Sequence, residues 1–229
     1  MIFAALNGGI FYVLFSFAGL RLAEAANAGI IVNGALPVIG ALLLAVSGVC
    51  PSVLQVFGIL VVVGANLLLI GNGAVGIVAL TLLLAAATSL SLYMFFVGLH
   101  GLKTEVMVVA IPLINTAICL PLWLIFDGTI TDAPAFEVAL QALYQGLIVS
   151  LIATTLFTIC IHRAGSLMAA LLMAFVPVTT PLLDGVIAGE APGATLLTIA
   201  AATTAGVVLC ALGAARIERR PLGAGTSKL

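Results

Sequence analysis

The sequence predicts an all-α polytopic membrane protein of about eight transmembrane helices, built as an inverted structural repeat. Three observations carry this. The chain is 64% hydrophobic and 7% charged, whereas a soluble domain usually has about a quarter of its residues charged. The charges fall at a few points: residues 1–20, 25–102, 106–126, 138–162, 164–183 and 191–215 carry none, with His100 and His162 neutral. A helix crosses a bilayer core with about 20 apolar residues, so most of these gaps fit one span and 25–102 fits three. Finally, two distant stretches, 25–70 and 165–211, can be laid on each other.

Eight spans follow in order: A 2–20, B 25–47, C 52–70, D 75–98, E 106–126, F 138–160, G 165–188 and H 193–213. Turn chemistry separates them. SGVCPS (47–52) parts B from C, GNG (71–73) parts C from D, and HGLKTE (100–105) parts D from E. The longest loop, DGTITDAPAFE (127–137), is polar and acidic, and the tail IERRPLGAGTSKL is too polar for lipid. The front, MIFAALNGGIFYVLF, has no basic residue and so does not read as a signal peptide.

With eight spans, both termini share one side. That side takes Lys103, Arg163, Arg216, Arg219, Arg220 and Lys228, and the other takes only Arg21. The positive-inside bias places both termini in the cytoplasm of a cell (inner) membrane. The partners expected are a small-molecule substrate and the lipid bilayer; self-association as a homodimer is left open. Cys50, Cys119, Cys160 and Cys210 stand alone, with no CxxC or Cys/His cluster, so no metal site and no cofactor is indicated. The net charge of −1 gives no reason to expect nucleic acid. Enzyme signatures are missing too: Ala45-Val46-Ser47-Gly48 lacks the leading Gly of GxSG, and HExxH does not occur.

In the repeat, Pro37-Val38 matches Pro177-Val178. With a one-residue gap, Gly48-Val49-Cys50-Pro51 matches Gly189-Glu190-Ala191-Pro192, and Gly64-Ala65 matches Ala205-Gly206. Span A precedes the first copy as span F precedes the second. F is the fifth span after A, an odd step, so the copies point in opposite directions across the membrane. Inverted repeats are a common plan of secondary transporters, with the binding site between the halves.

These units resemble the EamA-type family of the drug/metabolite transporter superfamily: small-residue helix starts, a mid-helix Pro-Val, an apolar stretch, then Gly-Glu before a Gly/Ala-rich helix. AGSLMAALLMAFVPVTTPLLDGVIAGEAP is the closer copy; AANAGIIVNGALPVIGALLLAVSGVCP has Val49 where the pattern has Glu. The resemblance implies two five-helix halves, of which this chain shows three (1–71) and five (72–215), followed by a cytoplasmic tail (216–229). The two helices expected before A are missing, so either the gene start lies upstream of Met1 or the chain is a shortened member. The implied function is secondary transport or export of small, amino-acid-like metabolites by alternating access. The rival is a shortened, non-transporting membrane protein with a binding or regulatory role.

A transporter needs polar groups facing a cavity, because such groups are costly in lipid. The resemblance puts spans A, B, D, F and G around that cavity. The substrate-binding candidates are Asn7, Tyr12, Asn33, Tyr93, Tyr144, Gln145, Thr154 and Thr180, with Asn27, Ser89 and Ser91 on the same spans. His100 and His162 fit interfacial anchors better than proton carriers, and Trp123 fits an aromatic belt. Pro37, Pro177 and Pro181 are the expected kinks, with Pro177 freeing the carbonyl of Met173 inside one continuous helix. Thr180, Pro181 and Asp184 share a face with Pro177. That face is expected to point into the bundle, with Asp184 as the candidate for proton coupling. Glu190 is expected to cap the start of span H.

Overall fold

The computed structural model describes residues 1–125, 134–153, 155–156, 159–160, 163 and 166–218, and these are helical with short turns between. The helices are α1 (Ile2–Leu20), α2 (Ala25–Val46), α3 (Val53–Gly71), α4 (Ile77–Leu99) and α5 (Thr104–Ile125). They are followed by α6 (Ala135–Ala153), α7 (Ser166–Ala174), α8 (Val176–Ala188) and α9 (Ala194–Glu218). Six of them, α1, α2, α3, α4, α6 and the α9 segment Ala194–Ala215, are long and apolar enough to cross a membrane. Shorter apolar stretches lie at Glu105–Pro121 in α5 and Val176–Ala188, which is α8.

Turn chemistry sets the helix ends. Gly48, Gly73, Gly101 and Gly189 all have positive φ, where a side chain would be strained. After each, an N–H reaches back five residues: Val49 to the Leu44 carbonyl, Ala74 to Leu69, Leu102 to Val97 and Glu190 to Gly185, at 3.0–3.1 Å. This is the glycine-ended helix cap. Ser52 and Gln55 form a capping box at the start of α3, and Ser52 Oγ also donates to the Gly213 carbonyl of α9 at 3.1 Å. Glu190 is exposed and makes no cap bond; its carbonyl and Pro192 instead lie where a Cβ on Gly185 would go.

The core surrounds α2. Ile30 and Ile31 of α2, Leu69 of α3, Leu83 of α4 and Ala200 of α9 are almost wholly buried in one cluster. α3 and α9 form the most extensive helix pair. They meet through glycines: a Cβ on Gly58 would lie 2.6 Å from the Gly206 carbonyl oxygen, and one on Gly206 would lie 2.9 Å from the Gly58 carbonyl oxygen. Small residues thus let backbones touch, as in membrane helix pairs generally. Gly64 takes no part; nothing lies within 4 Å of its Cβ position.

In span G the α-helical ladder is interrupted just before Pro177: Phe175 keeps a right-handed helical backbone, but its N–H bonds to the Leu172 carbonyl three residues back, at 3.2 Å. Pro177 sits in the first turn of α8, where its missing N–H leaves no bond unmade. Two prolines one turn apart make a new helix start cheaper than two successive distortions of one helix. α2 carries Pro37 alone and runs unbroken to Val46. The last helix continues to Glu218, past the 193–213 expected for span H.

Candidate functional site

Two polar clusters emerge, and they do not coincide. The first is where α2 crosses α8. Asn33 donates from Nδ2 to the Gly29 carbonyl one turn back at 2.8 Å, and Thr180 donates from Oγ1 to the Val176 carbonyl at 2.8 Å. The two helices touch at Gly29, where a Cβ would lie 2.6 Å from the Thr180 methyl and 2.9 Å from its hydroxyl oxygen. Pro177 and Pro181 are buried, while Asp184, one turn beyond Thr180, is half-buried; Leu182, Leu183, Val186 and Ile187 face outward. α8 therefore presents its prolines, Thr180 and Asp184 on the side opposite its exposed aliphatic face. Ser91 of α4 reaches α2, its Oγ donating to the Leu36 carbonyl at 3.4 Å, just before Pro37. Asn27, near the start of α2, is buried with its Oδ1 unpaired among the described residues.

The second cluster joins α1, α4 and α5. α1 widens into a π-helical turn at Asn7–Phe11, a distortion often found at functional positions. Asn115 of α5 closes it. Its Oδ1 accepts from the Ile10 N–H at 2.9 Å, and its Nδ2 donates to the carbonyls of Ala5 (3.1 Å) and Ile111 (2.6 Å). A Cβ on Gly9 would overlap the Asn115 amide. The Tyr93 ring covers Gly8, and Asn7 is buried with Nδ2 bonded to the Phe3 carbonyl at 2.9 Å. Tyr12 packs against the central cluster around α2. Sequence reasoning passed over Asn115, although a lone amide amid INTAICLP in an apolar span is itself a signal.

Tyr144 and Gln145 join neither cluster. They lie on α6, where every side chain of described exposure is exposed, and α6 packs over no extended surface of another helix among the described residues. Thr154, His162 and the 127–133 part of the acidic loop lie outside the described residues. The side chain of Trp123 does too. A concavity of about 510 Å³ lies elsewhere, lined by Met1, Glu105, Val106, Val109, Ala110, Leu113 and Ile114. Glu105 is its one acid, and it lies at the chain-start end of α1 and α5 rather than at the α2–α8 crossing. No group of three His, Cys, Asp or Glu suited to a metal occurs among the described residues.

The fold defines an all-helical chain with several helices long and apolar enough to cross a membrane. It is similar to a protein of known crystal structure that bears no functional name, with TM-score 0.63 and 25% identity over 95% of this chain and 78% of that one. No family profile and no curated protein matches the chain.

Proposed function

We propose that the protein is a secondary transporter of small organic metabolites, amino-acid-like or related, working by alternating access in a cell membrane with both termini cytoplasmic. The observation that carries this reading is the α2–α8 crossing, set beside the interruption of the helical ladder at Phe175, just before the buried Pro177. Discontinuous helices at the interface of inverted repeats are where transporters hold substrate, because backbone groups released there can bond a solute. Asn33 and Thr180 offer uncharged partners there, and Asp184 offers the one nearby carboxylate on α8. A neutral or zwitterionic solute suits that set.

The inverted repeat belongs to the same proposal. The matched residues Gly48 and Gly189 both have positive φ, and the N–H groups that follow them make equivalent back-bonds. Gly73 and Gly101 end their helices likewise, so this support is local. More telling, spans A and F both carry π-helical segments. The EamA-type resemblance gives these features one explanation.

Flux measured in proteoliposomes over a panel of amino acids and small zwitterions tests the reading. Saturable counterflow of at least one solute is expected; a flat panel with folded full-length protein would sink it. The second reading is a shortened, non-transporting membrane protein with a binding or regulatory role.

A further inference from the structure

α1 is held out of the ordinary α-helical ladder by a side chain from another helix. In a π turn an N–H looks five residues back rather than four. Ile10 and Ala5 are that far apart, yet the amide of Asn115 stands between them. Its Oδ1 accepts from the Ile10 N–H at 2.9 Å, and its Nδ2 donates to the Ala5 carbonyl at 3.1 Å. The amide thus serves as one extra peptide unit spliced into α1. It also has a bond to keep when it leaves, since Nδ2 donates to the Ile111 carbonyl of its own helix at 2.6 Å.

A π turn holds one residue more than the α turn it replaces. Closing it would push the chain-start end of α1 outward by one place, about 1.5 Å along the axis and about 100° around it. Each residue there would then stand where its predecessor stood. The sequence is doubled where that matters. The Tyr93 ring lies on Gly8, where a Cβ would come within 2.8 Å of it, and the slide brings Gly9 to that place. Likewise Ala5 takes the buried place of Ala4. The misfit falls at one point: Leu6 takes the fully buried place of Ala5, in a cluster with Met107. Methionine is unbranched and re-packs readily. Leaving the Ile10 N–H and the Ala5 carbonyl without partners in lipid costs more than that crowding, so a released turn closes.

We propose that α1 is a helix of two registers and that Asn115 is its latch. With the amide engaged, α1 keeps the π turn and Phe3 lies on Phe96 of α4, their ring centroids 4.6 Å apart. With the amide withdrawn, the turn closes and Ala4 moves to the place of Phe3. Asn7 moves to the place of Leu6, while Tyr12, beyond the turn, stays. The latch requires neither the repeat nor transport.

The test uses the full-length chain in lipid vesicles, with its four cysteines replaced. Phe96→Cys is combined in turn with Ile2→Cys, Phe3→Cys or Ala4→Cys, and the rates of disulfide formation are compared. With Asn115 present, the pair from Phe3→Cys closes fastest. Asn115→Leu keeps the bulk and removes the amide; it is expected to make the pair from Ala4→Cys the fastest and to leave that from Ile2→Cys slow. Leu6→Ala relieves the misfit with Asn115 in place, and is expected to raise the rate from Ala4→Cys several-fold relative to Phe3→Cys. This second variant decides the matter if Asn115→Leu does not fold. An unchanged order in folded Asn115→Leu, or an unchanged ratio in Leu6→Ala, would overturn the latch. Equal gains from Ile2→Cys and Ala4→Cys would also overturn it, because they report a frayed helix end and not a slide. Disulfide rates read register and not flux, so a flat transport screen and a missing slide are separate failures.

Discussion

Replacing Gly58 by alanine should loosen the bundle, and replacing Gly64 by alanine should not. Both glycines lie in α3, so both substitutions gain the helix preference of alanine, about 0.5–1 kcal/mol. What differs is what the new methyl meets. At Gly64 it meets nothing within 4 Å; at Gly58 it would lie 2.6 Å from the Gly206 carbonyl oxygen and 2.8 Å from both the nitrogen and the sulfur of Cys210. Ordinary contact begins at 3.4 Å, so α3 and α9 must part by about 0.8 Å, and a packed interior resists that. The obstruction is largely backbone, which cannot rotate aside. Overpacking of this kind costs about 1–3 kcal/mol, which sets the expected gap between the two variants. Dodecyl sulfate titration of purified protein, followed by loss of helical circular dichroism, measures both midpoints. Equal shifts, within the roughly 0.5 kcal/mol scatter of independent sites, would refute the close approach of α3 and α9.

Three further outcomes are expected. Gly29→Ala should slow flux by pressing α2 against Thr180, and adding Thr180→Ser, which removes the methyl 2.6 Å away and keeps the hydroxyl, should recover part of it; a double variant no faster than the single would place the effect elsewhere. Asp184→Asn should abolish the dependence of flux on a proton gradient while leaving counterflow of substrate, and an unchanged pH profile would remove Asp184 as the coupling group. In a chain whose only cysteine is Cys50, a membrane-impermeant maleimide should label from the cytoplasmic face alone, and with Asn72→Cys as the only cysteine it should label from outside alone; labelling of both from one side would refute the topology.

Much of the fold is legible in the sequence because the bilayer is a severe solvent. Spans A to D match α1 to α4 within two residues at each end, since charge gaps and Gly or Pro turns leave few alternatives. In span G, Pro177 marks the disruption, and the ladder is interrupted two residues earlier, at Phe175, which leaves the proline in a first helical turn. The site was less legible. Asn7, Asn33 and Thr180 are polar residues in apolar spans, as a binding group would be, yet each spends a hydrogen bond on its own helix. Composition cannot separate that use from substrate binding, since both relieve the cost of a polar group in lipid. Tyr144 and Gln145 show the limit most plainly: their place in span F was correct, but no periodicity reports which other helices arrive beside it.

The sequence by itself determined that the chain is all-helical and apolar enough to cross a membrane repeatedly, and where most spans begin and end. These are local properties, fixed by the length of an apolar run and the residues that interrupt it. Only the tertiary structure decided that Gly58 rather than Gly64 meets α9 and that Asn115 closes the π turn of α1. Each of those depends on which helix faces which. Between helices in a membrane that choice rests on backbone approach and single buried amides, whose partners lie tens to more than a hundred residues away.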